Sequence, residues 1–134
     1  MFDVNEIPPL VSLAPMAGVT DIPFRRQVKA FGGAYCVSEM VASDQLARER
    51  IDMVRRAAGA GVIKPLVIQL AGREAHWMAE GARIAVDLGA EVIDINMGCP
   101  AREVTGKACG SALMRDLDLA VGLIDAVIGA VRVP

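Results

Sequence analysis

Short apolar runs alternate with longer amphipathic segments along this chain, and this alternation most restricts the folds open to it. The predicted strands cover residues 10–16, 34–40, 66–70 and 92–95. The predicted helices follow them, over about residues 21–31, 43–58, 74–88 and 111–131. The first is expected to be capped by Thr20 or Asp21 and to have one apolar face formed by Phe24, Val28 and Phe31, and Gly89 is expected to end the third. A strand-to-strand spacing of about twenty to thirty residues, with a helix between, is typical of a parallel sheet with right-handed crossovers. The sequence therefore predicts an α/β fold.

Two α/β architectures compete, an open doubly wound sheet and an eight-stranded barrel. The end of the first strand and the turn after it read P-M-A-G-V-T (residues 15–20) and lack the G-x-G-x-x-G of a dinucleotide fold. The last predicted helix is apolar almost all round, which requires neighbours on two sides and favours the barrel. Its two apolar rows are Val121, Ile124, Ile128 and Val131, and Leu119, Leu123, Ala126, Val127 and Ala130.

Length then places the chain within such a barrel. A complete barrel takes ~250 residues, and the chain has 134. We therefore expect residues 10–134 to form the first four βα units of a (β/α)8 TIM barrel, after an N-terminal lead over residues 1–9. A fifth strand is expected to begin at residues 132–134.

Composition excludes several classes of protein. Hydrophobic residues make up 54% of the chain, yet charges interrupt every run well short of the ~20 apolar residues of a membrane span. The first nine residues are acidic and do not resemble a signal peptide, so a cytoplasmic protein without membrane contact is expected. Three cysteines without a C-x-x-C pair argue against a disulfide framework. A net charge of −2 carries no nucleic-acid signature by itself.

The segment N-M-G-C-P, residues 96–100, places a thiol at the end of the fourth predicted strand. Pro100 disfavours helical backbone at Cys99 and so presents the thiol from an extended segment. Gly98 has no side chain and lets a flat ligand approach the backbone. Asn96 adds an amide that both donates and accepts. The alternative is a buried structural cysteine in a strand-to-loop turn.

Other candidate residues lie at the ends of the earlier strands, which a barrel brings to one face. They are Pro15, Met16 and Ala17 after the first strand, Glu39 after the second and Gln69 in the third. Structural alternatives stand beside them: Glu39 as a buried acid paired with an arginine, and Gln69 as an amide satisfied inside the fold.

The remaining cysteines have plainer interpretations. Cys36 is expected in the core, and Cys109 is expected to be incidental. A metal site from Cys99, Cys109 and His76 is disfavoured by ligand number and spacing, so no metal is expected.

Five motifs in register resemble the tRNA-dihydrouridine synthases, most closely their bacterial B branch. They are P-M-A-G-V-T-D-I-P-F-R (15–25), V-S-E-M (37–40), V-I-Q-L-A-G (67–72), D-I-N-M-G-C-P-A-R-E-V-T-G-K (94–107) and G-S-A-L-M (110–114). The resemblance covers nearly the whole chain. It implies an FMN-bearing eight-stranded barrel, followed by a small helical domain that binds tRNA.

The resemblance also implies residue roles. Pro15, Met16 and Ala17 would line the flavin through backbone contacts, and Gln69 would bond the isoalloxazine edge. Asn96 would hold the target uracil. NADPH would reduce FMN, a hydride would pass to C6 of the uracil, and Cys99 would be the catalytic acid that protonates C5.

Two basic residues follow the cysteine. Arg102 and Lys107 could contact tRNA phosphates, with solvated loop charges as the alternative.

Two other functions stay open at this stage. A dihydroorotate or dihydropyrimidine dehydrogenase is a related flavoenzyme, but its cysteine is typically followed by Pro-Asn, whereas Ala101 follows Pro100 here. A catalytically silent half-barrel that self-associates is the non-enzyme alternative. The barrel's usual phosphate site, the family's later flavin-binding lysine and histidine, and the tRNA-binding domain would all lie beyond Pro134.

Overall fold

A parallel sheet with strand order β1–β2–β3 forms the centre of the structure, a computed structural model that describes residues 12–33 and 35–134. The strands are β1 (Val41–Ala42), β2 (Val67–Ala71) and β3 (Val92–Ile95). In the register of the sheet Val41 lies opposite Leu70, and Gln69 lies opposite Asp94. The third and fourth predicted strands are therefore confirmed to within a residue or two.

The first two predicted strands contribute single bridges. Leu13 bridges Cys36, and Val37 bridges Val67, both in parallel orientation. Regular pairing begins later, at β1, beyond the predicted end of the second strand. Residues 1–11 and 34, which include the predicted lead and the starts of both strands, lie outside the described residues.

The opposite edge of the sheet is met by the end of the chain. The Ile93 backbone N–H donates to the Pro134 carbonyl at 2.8 Å. The order of the paired segments across the sheet thus follows their order in the sequence, as in a barrel.

The described helices are α1 (Ile22–Ala30), α2 (Ser43–Ala47), α3 (Ile51–Ala57), α4 (Ala75–Asp87), α5 (Arg102–Thr105) and α6 (Leu117–Ala130), with a 3₁₀ helix at Gly110–Arg115. The prediction for α4 is confirmed to within one residue at each end. The single helix predicted over residues 43–58 is wrong, because Glu49 has a φ of 54° and interrupts it.

The last predicted helix begins later than expected. Residues 110–115 form the 3₁₀ helix, and α6 starts only after Asp116, whose Oδ1 accepts the Leu119 N–H at 3.1 Å. The short helix α5 was not predicted. Leu123 and Val127 of α6 are buried, whereas Val121 and Ile128 from its other apolar row are 54% and 64% exposed.

Helix α1 begins as its sequence predicts, since Asp21 Oδ1 accepts the Phe24 N–H at 2.9 Å. The prediction of its buried face is wrong. Phe24 and Phe31 are 42% and 90% exposed, and the buried residue of α1 is Arg25. Two backbone carbonyls accept hydrogen bonds from Arg25, that of Thr20 from Nε and that of Ala58 from Nη2, whereas Nη1 is buried without a hydrogen-bond partner among the described residues.

The two faces of the sheet are packed differently. One face, with Ile68, Leu70 and Ile93, joins a core to which α2, α3, α4 and α6 all contribute. The other face carries a separate cluster of Val37, Val67 and Val92 with Tyr35. A doubly wound sheet has helices on both faces, so the one-sided core disfavours that alternative. In the described part of the chain, no helix is long and apolar enough to cross a bilayer.

Candidate active site

A cavity of about 410 Å³ opens where β2 and β3 end. Backbone and side chains from the four strand regions line it: Pro15, Ala17, Met40, Gln69, Ile95, Asn96, Met97, Gly98, Cys99 and Pro100. The structure therefore brings most of the candidate residues together, although they lie up to eighty-five positions apart in the sequence (15 to 100).

A chain of hydrogen bonds runs along one wall of this cavity. Gln69 Nε2 donates to Asp94 Oδ2 at 2.6 Å, and Asn96 Nδ2 donates to Gln69 Oε1 at 2.9 Å. The Cys99 backbone N–H then donates to Asn96 Oδ1 at 3.2 Å. We call these four residues the amide relay. Asp94 was not among the predicted site residues.

The amide of Gln69 is hydrogen-bonded inside the fold, as its structural interpretation expects. Its side chain is 5% exposed and is bonded at both ends within the fold. A primary amide has two hydrogens and two lone pairs, so one of each is left after these two bonds. The Gln69 backbone N–H is held separately by Ser38 Oγ at 3.0 Å.

The turn after the first predicted strand is held by Thr20 and Glu39. Thr20 is fully buried, and its Oγ1 accepts the Met16 N–H at 3.0 Å and donates to the Met16 carbonyl at 3.1 Å. Glu39 Oε1 accepts the Gly18 N–H at 2.7 Å. Glu39 therefore ties this turn to the end of the second predicted strand. Met16 itself is 41% exposed, between the lining residues Pro15 and Ala17.

Gly110 and Ser111 lie against the backbone of Cys99. The Ser111 N–H donates to the Cys99 carbonyl at 3.0 Å. Gly110 has a φ of +59°, and a Cβ built on it would lie 2.5 Å from the Cys99 carbonyl oxygen. Only glycine combines this conformation with this close approach. Gly110 is the first residue of the G-S-A-L-M motif, but the sequence alone does not indicate that it lies against Cys99.

The other two cysteines lie away from the cavity. Cys36 is 1% exposed, in agreement with its predicted place in the core. Burial raises the pKa of its thiol, against a smaller opposing effect of Lys29 and Arg25. Cys109 is half-buried, and burial raises the pKa of its thiol too.

Arg102 and Lys107 lie outside the cavity. Arg102 is exposed on α5, and Lys107 lines a neighbouring groove of about 520 Å³. Arg73 and Trp77, which were not among the predicted site residues, line the same groove. The Arg48 guanidinium lies 5.3 Å from the centre of the Trp77 ring, within the range of a cation–π contact.

The model of the dihydrouridine synthase family matches residues 12–134, nearly all of the chain. This chain belongs to the dihydrouridine synthase family. The family that the five motifs indicated is thereby confirmed, and the dihydroorotate or dihydropyrimidine dehydrogenase alternative is set aside.

Relatives from several bacteria resemble the chain closely. A probable tRNA-dihydrouridine synthase of Rhizobium leguminosarum is 56% identical over 92% of this chain and 39% of its own length. One from Rhodobacter capsulatus is 53% identical over 98% of this chain and 41% of its own length. A tRNA-dihydrouridine synthase B of Xanthomonas campestris is 50% identical over 96% and 39%. The chain thus spans about two fifths of the length of these relatives.

Proposed function

We propose that this chain is the first half of the flavin barrel of a tRNA-dihydrouridine synthase. The whole enzyme would reduce specific uridines of tRNA to 5,6-dihydrouridine, with FMN as cofactor and NADPH as reductant. One observation carries the proposal: Gln69, Asn96 and Cys99 meet in one cavity at the carboxyl ends of parallel strands. That is where barrel enzymes hold their catalytic residues.

The lining of the cavity fits a flat heterocycle with polar edges. Pro15 and Ala17 supply apolar and backbone surface, and Gln69 has one N–H and one lone pair left for a pyrimidine-dione edge. These residues, with the Met16 backbone, would hold the isoalloxazine ring of FMN. When bound, FMN supplies the hydride that NADPH has delivered to it.

The protein side of uracil reduction is a matter of holding the base and supplying one proton. Asn96 would hold the uracil through its amide, and the Cys99 thiol would stand on the face opposite the flavin. A hydride added at C6 leaves negative charge at C5, so the new C5–H bond takes the proton of Cys99. The resulting thiolate is reprotonated from solvent. A thiol carries the single proton that this step requires.

The basic residues beside the cavity fit an RNA substrate. A uridine must be turned out of the RNA stack before its C5 and C6 atoms are accessible. Arg102 on α5 and Lys107 after it are exposed near the Cys99 loop and would contact phosphates next to that nucleotide. Most tRNA contacts are expected in the small helical domain that resemblance places after the barrel.

Replacement of Cys99 tests this function in a chimaera that carries the present chain in place of the matching segment of the Rhizobium relative. Cys99→Ala should slow uridine reduction by on the order of a hundredfold or more, the usual effect of losing a positioned acid. Flavin reduction by NADPH should remain. Cys109→Ala is the matched control and should keep near-normal activity. Equal rates for Cys99→Ala and the unaltered chimaera would contradict the proposal.

A further inference from the structure

We infer that Asp94 is a positioning residue, whose carboxylate orients the amides of Gln69 and Asn96 and, through them, the backbone of Cys99. The inference rests on the proposed function in one respect, namely that Cys99 is the acid whose position matters. The juxtaposition behind it is the amide relay, in which each of four residues is hydrogen-bonded to the next.

The direction of the relay begins at Asp94. A carboxylate accepts hydrogen bonds and has no hydrogen to donate. The hydrogen in the 2.6 Å contact with Gln69 therefore comes from Gln69 Nε2. Charge-assisted bonds of this kind are shorter and stronger than bonds between neutral groups. Asp94 thus selects one of the two orientations that the Gln69 amide could otherwise adopt.

The orientation of the Gln69 amide in turn fixes the orientation of the Asn96 amide. With Nε2 turned to Asp94, Gln69 presents Oε1 to Asn96, so Asn96 must turn its Nδ2 toward Gln69. Its Oδ1 is then left to accept the Cys99 N–H. This bond, together with the Ser111 N–H on the Cys99 carbonyl, holds the backbone on both sides of the thiol.

The opposite orientation would break the last link. If Gln69 turned over, its NH2 group would face Asn96, and Asn96 would turn its own NH2 toward the Cys99 N–H. Two donors would then face each other, and the Cys99 N–H would lose its bond. The same reversal would exchange the donor and acceptor that Asn96 offers to a ligand in the cavity.

Two variants separate the direction of the relay from the mere presence of polar groups. In Asp94→Asn, the side chain at position 94 can either donate or accept, so Gln69 is free to turn over. Adding Gln69→Glu restores the direction, because the new amide at position 94 would donate to one oxygen of the new carboxylate at position 69. The other oxygen of that carboxylate would accept from Asn96 Nδ2. The matched control is Asp125→Asn, the same change at an exposed position on α6.

The first measurement is hydrogen exchange of the Cys99 backbone amide in the 134-residue chain. Asp94→Asn should speed exchange by about three- to tenfold, the effect of losing one net hydrogen bond. The double variant should return toward the unaltered rate, and Asp125→Asn should not change it. An unchanged rate in Asp94→Asn, or a double variant as fast as the single one, would overturn the inference.

A second measurement needs no variant and so does not depend on how the variants fold. NMR couplings across hydrogen bonds in the unaltered chain should link Gln69 Nε2 to the Asp94 carboxylate and Asn96 Nδ2 to the Gln69 side-chain carbonyl. Couplings that link Asn96 to Gln69 in the reverse direction would overturn the inference.

Activity of the chimaera distinguishes this inference from the proposed function. Asp94→Asn should lower kcat for uridine reduction by on the order of tenfold, because a misplaced acid transfers its proton more slowly, when the rate is measured at saturating FMN and expressed per bound flavin. A normal kcat despite faster Cys99 exchange would overturn the positioning role and leave the function standing. A fully active Cys99→Ala chimaera would remove the function and leave the relay itself intact.

Discussion

The positions of Gln69 and Asp94 in the sheet explain why their side chains are hydrogen-bonded to each other. Residues two apart on a strand point to the same face, so Gln69 shares a face with Val67, and Asp94 shares one with Val92. Those valines belong to the separate cluster on the face of the sheet opposite the main core. The two polar side chains therefore lie just beyond an apolar layer, where the buried Gln69 needs a partner and bonds the half-buried Asp94.

Buried Cys36 predicts how stability responds to base. Its raised pKa means that the folded state holds the thiol proton more tightly than the unfolded state does. As pH rises above the ordinary thiol pKa of ~8.5, the unfolded chain ionises first and becomes favoured. The free energy of unfolding should therefore decrease as the pH rises through and beyond that value, and Cys36→Ala should show a smaller decrease.

Urea unfolding under reducing conditions at several pH values measures this difference. Cys36→Ala is expected to be less stable at every pH because it leaves a small cavity. The slope against pH, rather than the stability itself, is the quantity to compare. Tyr35 and Cys109, whose pKa values are also raised by burial, are present in both proteins and contribute equally. Identical slopes would show that Cys36 is not the group responsible.

Among the elements, the α2–α3 junction differs most clearly from the structure that its sequence predicts. Residues 43–58 have a continuous helical pattern, yet Glu49 adopts a φ of 54°. Leu46 of α2 and Met53 and Ala57 of α3 all reach the core because the axis changes direction between them. Packing thus outweighs local propensity here, since a left-handed non-glycine residue costs roughly 1–2 kcal/mol.

Glycine substitutions at this junction and inside α3 should affect stability differently. Glu49→Gly removes the steric cost of the left-handed conformation and should leave stability unchanged or raise it by up to about 1 kcal/mol. Arg55→Gly, at an exposed position inside α3, should lower stability by about 1 kcal/mol. Chemical denaturation of both variants measures the signs. Equal losses in the two would mean that the junction is an ordinary helical segment.

At the scale of the whole molecule, five of the ten large apolar side chains that are exposed among the described residues lie on or next to the first and last helices, α1 and α6. Phe24 and Phe31 lie on or next to α1, and Leu117, Val121 and Ile128 lie on α6. Helices of a closed barrel are flanked on both sides by neighbours. These two faces are therefore where the second half of the proposed barrel would pack, and they also explain why an isolated half is expected to self-associate.

Polar substitutions on these faces test that expectation. Phe31→Ser combined with Ile128→Ser should shift the 134-residue chain toward monomer in sedimentation velocity, without loss of helix by circular dichroism. Ile51→Ser is the matched control, since Ile51 is 77% exposed but belongs to α3, which packs over β1, rather than to α1 or α6. A chain that is already monomeric, or that Ile51→Ser dissociates equally well, would contradict the role of these faces.

The local sequence determined the segments with strong internal signals. The apolar run of β3, the stop at Gly89 after α4 and the Asp21 cap of α1 are each set by a few neighbouring residues, so pattern alone predicts them. The place of Cys99 between Gly98 and Pro100 likewise predicts a thiol on an extended segment at the end of a strand. The motifs also sufficed to indicate the family.

Only the tertiary structure decided what depends on distant partners. The burial of Arg25 in place of Phe24 requires the carbonyl of Ala58, and the break at Glu49 requires a core shared by α2 and α3. The register that sets Gln69 opposite Asp94 depends on how β2 and β3 align. Asp94 therefore looked like any strand residue in the sequence, because a hydrogen-bond direction exists only once both partners are in place.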